Sequence, residues 1–425
     1  MERVVIVGGG FAGLQAAKWL ARRPVEVVLV DRQNHHVFQP LLYQVASAVL
    51  APEEIAIPIR SVLRRNRSVR VVLDEVTDLN IAARTVRTRQ SSIGYDYLIL
   101  APGSLTSYFG HREWEQYATS LKTLEDAIEI RRRVLTAFEL AEQANSLQAR
   151  EALLNFVIIG GGPTGVELAG ALAEIAMQTL RHDFHDIRPD EARITLLEGS
   201  DRILRAFPED LSRYAERKLR SMGVRMRLGS HVQAIGDGYV EVDGERISTR
   251  TVLWAAGVSP SPLCRSAGVP CDAAGRVQVA PDLSLPGHPE VFVVGDAASV
   301  CHDGAQLPGV APVAMQQGRA AAANVWRRIC GGDARPFRYR EKGNLATIGK
   351  FSAVAYRRST RVAGPLAWLV WLVVHILYLA GFENRLLVLI RWAWAYAVYQ
   401  RGARLIYGSK SSAGFAQGAQ THTPE

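Results

Sequence analysis

Cysteine, lysine and long apolar runs are all scarce in this chain. Its 425 residues hold four cysteines, Cys264, Cys271, Cys301 and Cys330, and no two form a C-x-x-C pair. That spacing weighs against a structural zinc site and a thioredoxin-type redox pair, so no metal site is expected. A few reduced thiols fit a cytosolic compartment. The net charge of +9 is carried mostly by arginine, without an aromatic-interleaved basic patch or a nucleic-acid motif. No nucleic-acid partner is expected. The longest apolar run, Leu366 to Gly381, has about 16 residues and one ionisable group, His375. A bilayer span takes roughly 20. The first glycine-rich loop starts eight residues from Met1, so no signal peptide is expected before it. The length implies two to three domains.

What is present is one glycine signature, twice. Gly8-Gly9-Gly10-Phe11-Ala12-Gly13 follows the strand-like run Arg3 to Val7, and Gly160-Gly161-Gly162-Pro163-Thr164-Gly165 follows Phe156 to Ile159. Each opens into an Ala/Leu-rich helical stretch. In such a loop the first glycine permits the tight turn, the second lets backbone approach a pyrophosphate, and the third packs helix on strand. The pyrophosphate sits on unpaired N–H groups at the helix N-terminus. A single copy can be only a turn. Two copies, each between strand and helix, point to two dinucleotides, which a chain holds in order to pass electrons between them. No other internal repeat is visible.

Each copy is followed by an apolar run ending in an acid: Val25 to Val30 ends in Asp31, and Arg193 to Leu197 ends in Glu198. A carboxylate there bonds a ribose 2′-OH and repels a 2′-phosphate. Asp31 therefore suits FAD, and Glu198 suits NADH over NADPH. The longer interval in the second copy is taken up by a helix through about Gln178 and the polar stretch from His182 to Glu191. Arg202 leaves some tolerance for a phosphate.

The pattern predicts an α/β fold with two Rossmann-like domains, the second inserted in the first. The expected boundaries are 1–112 and 284–356 for the FAD-binding domain and 113–283 for the NADH-binding domain. A C-terminal helical membrane-associating segment or dimer contact spans 357–408, and a disordered tail spans 409–425. The run Val291 to Val294 enters a Gly295-Asp296 turn, with Asp296 facing the flavin ribitol. In the stretch Arg385 to Tyr407, aromatics alternate with Arg385, Arg391, Arg401 and Arg404, which suits a helix lying in a headgroup layer.

With these motifs the chain resembles the type II NADH dehydrogenases, single-subunit flavoproteins that pass electrons from NADH to quinone without pumping protons. The resemblance runs from Val4 to about Tyr407. It is carried by the two glycine loops, Ala101 to Ser104, Ala255 to Val258 and Gly295-Asp296, and more tellingly by Phe38 to Ala46, Glu167 in the second loop, and Gly309 to Gly318. It implies FAD held by Gly8, Gly10, Phe11, Ala12, Gly13, Asp31, Arg32, Ala101, Gly103, Gly295 and Asp296. It implies NADH held by Gly160, Gly162, Pro163, Thr164, Gly165, Glu198, Ala256 and Gly257. Glu167 would orient the nicotinamide or handle a proton, and Gln316 and Gln317 would meet the quinone carbonyl. Partners would be NADH, quinone, a membrane surface and a second copy as a homodimer, at the cytoplasmic face of the inner membrane. Two departures stand out: Pro312 replaces a glutamine frequent in the family, and Gln44 stands where glutamate is frequent. Lys350 reads as a solvated lysine. The competing readings are a sulfide:quinone, ferredoxin or rubredoxin reductase, and a low-turnover flavin-binding sensor.

Overall fold

The computed structural model describes residues 1–64, 68–266, 268–379, 386–390, 392–393 and 404–406. They form two compact units: 1–37, 56–106 and 258–342 make the first, and 38–55, 107–257 and the described residues from 343 onward make the second. These boundaries, 106/107 and 257/258, stand beside the 112/113 and 283/284 expected from sequence. Residues from 258 join the first unit because Val258–Pro260 pairs antiparallel with Ser104–Thr106.

The first unit is built on a six-stranded sheet ordered Ser284–Leu285, His288–Val293, Tyr97–Leu100, Arg3–Val7, Glu26–Asp31, Val69–Leu73. All pairs are parallel except the one at the Ser284–Leu285 edge. Strand side chains alternate between faces. Val4 and Ile6 enter one apolar core, with Leu14 and Leu20 of the helix Phe11–Leu20 and Val325 of the helix Ala311–Ile329. Val5 and Val7 enter another, with Leu98 and Val293. Burial on both faces explains the continuous apolar strand sequences. The helix Ala311–Ile329 carries Pro312 in its first turn, where a missing N–H costs nothing.

The second unit has a five-stranded parallel sheet, ordered Ala118–Ser120, Thr251–Trp254, Asn155–Ile159, Arg193–Glu198, Arg225–Leu228. Trp254 packs with Tyr108 and Trp114 in its core. The long helix Leu124–Glu142 begins in a capping box, with Asp126 N–H donating to Thr123 Oγ1 and Thr123 N–H to Asp126 Oδ2. The strands Asn344–Thr347, Ala353–Arg357 and Thr360–Gly364 form an antiparallel sheet that leads into the helix Pro365–Tyr378.

The apolar run expected near the C-terminus is helical over Pro365–Tyr378 and two-faced. Ala367, Trp368, Trp371 and His375 are buried, whereas Leu366, Leu369, Val370, Val373 and Leu377 are exposed. Trp371 stacks on His375 and lies 5.2 Å from the Trp392 ring, so the buried side is aromatic. Among the described residues no helix is long and apolar enough to cross a membrane. Arg385, Arg391, Arg401, Trp394, Tyr396, Tyr399 and the tail 409–425 lie outside the described residues.

Candidate active site

The two glycine loops repeat one another in detail. Gly8 and Gly160 have φ of +98° and +109°, in the left-handed region that a side chain resists. A Cβ on Gly8 would lie 2.2 Å from Ala101 O, and one on Gly160 would lie 2.7 Å from Ala255 O. A Cβ on Gly13 would lie 1.8 Å from Gly8 O, and one on Gly165 the same distance from Gly160 O. Helix and strand therefore touch through hydrogen. Gly10 and Gly162 are the helix N-caps, extended and without a side-chain cap. A Cβ at either would meet nothing within 4 Å. The loop is thus open at each helix N-terminus, where first-turn N–H groups have no intrahelical partner, and a pyrophosphate requires such a cradle.

Each acid is clamped to its loop. Asp31 Oδ2 accepts from Gly9 N–H at 2.5 Å and Oδ1 from Gln33 N–H at 2.7 Å. Glu198 Oε2 accepts from Gly161 N–H at 2.5 Å and Oε1 from Ser200 N–H at 2.8 Å. The partners of the loop bond are 22 residues apart in one copy and 37 in the other, yet the bond is the same. An ionised carboxylate offers about four lone-pair positions. Two are used in each clamp, which leaves acceptors for ribose hydroxyls. Burial holds the Asp31 carboxyl above its ordinary range, although the Gln33 and Gly9 amides pull it down. Arg32 is exposed. Arg202 turns its guanidinium to the Arg205 carbonyl at 3.2 Å.

In the first unit, Gly103 sits in a left-handed turn and accepts from Ser261 N–H at 3.2 Å. Asp296 Oδ2 accepts from Ser104 Oγ at 2.5 Å, which ties the Gly295–Ala297 turn to the start of the Ser104–Thr106 strand. Gln317 is fully buried and its Oε1 accepts from Gly295 N–H at 2.6 Å. Gln316 makes a two-way pairing with Arg340, Nε2 donating to O and Oε1 accepting from N–H, both at 3.0 Å. The adjacent glutamines thus brace two different segments.

His36 has no sequence signal and braces the first loop. Its Nδ1 lies 3.1 Å from Gly9 O, and its ring meets Phe11 edge-on at 5.0 Å. Burial pushes its pKa down to about 4. The ring is neutral at pH 7, and a carbonyl partner makes Nδ1 the protonated nitrogen.

In the second unit, Ala256 and Gly257 follow the Thr251–Trp254 strand. Ser107 N–H donates to Gly257 O at 3.3 Å, and the exposed Phe109 ring lies where a Gly257 side chain would be. Pro163 and Thr164 start the helix Pro163–Glu174, whose first turns carry Glu167. Thr347 N–H reaches Glu167 Oε1 at 3.4 Å, and Tyr43 OH pairs with Thr347 Oγ1 at 3.0 Å. Gln44 is buried: its Nε2 donates to Tyr43 OH at 3.0 Å and its Oε1 accepts from Trp392 Nε1 at 2.7 Å. The Gln44 amide thus serves both neighbours, donating to one and accepting from the other. A cavity of about 60 Å³ opens beside these groups, lined by Glu167, Glu174, Tyr43, Thr347, Lys350 and Trp368 among others. Desolvation in its wall pushes the Glu167 carboxyl up to about 8, against the weak pull of the Thr347 amide. Lys350, expected to be merely solvated, lines this cavity, and its backbone N–H donates to Glu174.

Residues 2–318 match the Pyridine nucleotide-disulphide oxidoreductase family. The chain is 42% identical over 419 residues to the type II NADH:quinone oxidoreductase Ndh of Mycobacterium tuberculosis, covering 94% of this chain and 89% of that one. It is 30% identical over 425 residues to the mitochondrial internal alternative NAD(P)H-ubiquinone oxidoreductase A1 of Arabidopsis thaliana, covering 92% and 83%. Among solved structures, NDH2 of Plasmodium falciparum in complex with NADH shares the fold, with a TM-score of 0.88 at 19% identity, covering 96% of this chain and all of that one.

Proposed function

The chain belongs to the type II NADH:quinone oxidoreductases, within the pyridine nucleotide-disulphide oxidoreductase family, and on that premise we propose that it oxidises NADH with FAD and reduces a membrane quinone. The observation that carries this reading is the paired cradle, in which each glycine loop has an acid pinned to its second glycine. Bound in the first unit, FAD would supply the hydride acceptor for NADH and the two-electron donor for quinone, which is the cofactors' own chemistry.

The chain's residues supply binding, orientation and proton handling. We assign FAD to the first unit. Gly8 to Gly13 hold its pyrophosphate, Asp31 its ribose hydroxyls, and Ala101, Gly103, Gly295 and Asp296 line its length, with Arg32 beside the ribose. NADH goes to the second unit. Gly160 to Gly165 take its pyrophosphate, Glu198 takes its ribose, and Ala256 and Gly257 offer backbone. Glu198 favours NADH because a fixed carboxylate repels a 2′-phosphate. Glu167 is the proton-holding group, since a carboxyl near 8 is mostly protonated at neutral pH. Gln317 fixes the Gly295 turn, and Gln316 meets quinone at the start of its helix.

The exposed apolar face of Pro365–Tyr378 supports seating on a membrane surface, in our reading the cytoplasmic face of the inner membrane. We further assign a homodimer. A sulfide:quinone reading is disfavoured by Cys264: it is buried, and desolvation pushes its thiol up to about 12, where it is a poor nucleophile. Anaerobic stopped-flow on the purified protein tests the proposal. NADH should bleach the yellow flavin, and a ubiquinone or menaquinone analogue should restore it. A protein that purifies without flavin, or a bleached flavin that quinone fails to restore, overturns it.

A further inference from the structure

Resting on the reaction proposed above, the hydrogen balance leaves one demand unmet. NADH delivers two electrons and one hydrogen as hydride, and a quinol carries two hydrogens. The sum is NADH + quinone + H⁺ → NAD⁺ + quinol. One proton per turnover comes from water and must reach the quinone.

The second unit holds a feature suited to that demand. Glu167, Ala171, Glu174 and Gln178 recur at i, i+4, i+7 and i+11, one face of a helix, and all four line the same cavity. The two carboxylates are two turns apart, about 10 Å along the axis. Between them Ala171 offers only a methyl group, and that leaves the gap. Beyond Glu174 the helix widens into a π-turn, Ile175–Thr179, which closes with Leu180 N–H donating to Ile175 O at 3.0 Å. Such widenings recur at functional sites. The π-turn places Gln178 on the exposed surface, whereas Tyr43, Gln44 and Thr347 at the Glu167 end are buried.

We infer that this cavity is the proton entry of the enzyme, in which Glu174, set beside Lys350, collects a proton from solvent and passes it through water to Glu167. A hydronium ion protonates the Glu174 carboxylate. Cavity water accepts that proton and gives one of its own to the Glu167 carboxylate, and Glu174 is an anion again. Nothing in the cavity is consumed, and each turnover moves one proton from bulk solvent to Glu167. The raised affinity of Glu167 for protons makes it the sink. The titratable groups facing the cavity are Tyr43 from the segment Leu42–Ala46, Glu167 and Glu174 from the helix, and Lys350 from the turn after Asn344–Thr347. Tyr43 is held by Gln44 and Thr347 and is a wall of the route, not its carrier.

The test separates proton carrying from scaffolding. Glu174→Gln keeps an oxygen to accept the Lys350 backbone N–H and loses only the ability to carry a proton. Flavin content and the rate of NADH bleaching should be unchanged. Steady-state kcat with quinone should fall about tenfold near pH 8.5, where hydronium is scarce, with far less loss near pH 6 and no change in the quinone KM. Glu174→Asp should restore most of the rate. A Glu174→Gln profile that overlays wild type at every pH overturns the route. If Glu174→Gln purifies without flavin, Ala171→Val decides, because it narrows the gap between the two carboxylates and changes neither of them. A narrowed gap should bring the same loss of kcat near pH 8.5, and an unmoved profile overturns the route. Wild type that fails to reduce quinone would instead sink the functional reading, an outcome recognisable before any variant is made.

Discussion

Replacing Glu198 by glutamine probes the NADH assignment most directly. In the folded chain this carboxylate is fixed by Gly161 N–H at 2.5 Å and Ser200 N–H at 2.8 Å, so it cannot swing away from an incoming nucleotide. A 2′-phosphate brings close to two negative charges against it. Two unit charges about 5 Å apart repel by roughly 1 kcal/mol in water and about 3 kcal/mol at the dielectric of a protein surface. Discrimination from charge alone is then about 2 kcal/mol or more, roughly thirtyfold in kcat/KM. Glutamine keeps one acceptor for the two amides, and the lost bond weakens the grip on both nucleotides alike. Both values of kcat/KM should therefore drop, whereas their ratio should move roughly thirtyfold toward NADPH. The assay is steady-state kinetics with each nucleotide at fixed quinone. An unchanged ratio would refute the reasoning even if both activities fell, because it would reduce Glu198 to a brace for its loop.

Further outcomes follow from other sites. Gln317→Ala leaves Gly295 N–H without its buried partner, which costs about 1–3 kcal/mol, and should yield protein with reduced flavin occupancy in its absorption spectrum. Glu167 holds its proton far above its unfolded range. The wild-type carboxyl thus costs stability increasingly as pH rises from about 4.5 through 8, and nothing below that window. The melting temperature of Glu167→Gln should accordingly rise relative to wild type between pH 5 and 8, and a constant difference would contradict the burial argument. The triple change Leu366→Glu, Val373→Glu, Leu377→Glu alters only the exposed face of its helix and should shift the protein to the soluble fraction with flavin retained. Sedimentation with vesicles checks this.

The parts legible from sequence are those whose causes are local. A glycine loop, the strand before it and the helix after it lie within about 20 residues, and the acid ends an apolar run that periodicity exposes. The parts that escaped are joined over long intervals. Tyr43 meets Thr347 across 304 residues and Gln44 meets Trp392 across 348. Nothing near His36 announces that its ring bonds the Gly9 carbonyl. The acid, alanine, acid, glutamine spacing from Glu167 to Gln178 was readable, but only a folded partner turns that face into a cavity wall. Lys350 looks like a surface lysine because a run of Gly349, Lys350 and Phe351 carries no hint of the helix it faces. Gln316 and Gln317 look like one pair in sequence and brace separate segments in space, since neighbours on a helix point about 100° apart.

The near-identity of the two cradles also sets a rule for inhibitors. A compound that mimics only a diphosphate finds two berths of almost equal shape and competes for both. Selectivity must come from what the loops do not share. The neutral His36 ring lies on the Gly9 carbonyl beside Phe11, whereas the Gly161 carbonyl accepts from the backbone N–H of Leu204 at 2.7 Å. A ligand arm that reads that imidazole would tell one berth from the other.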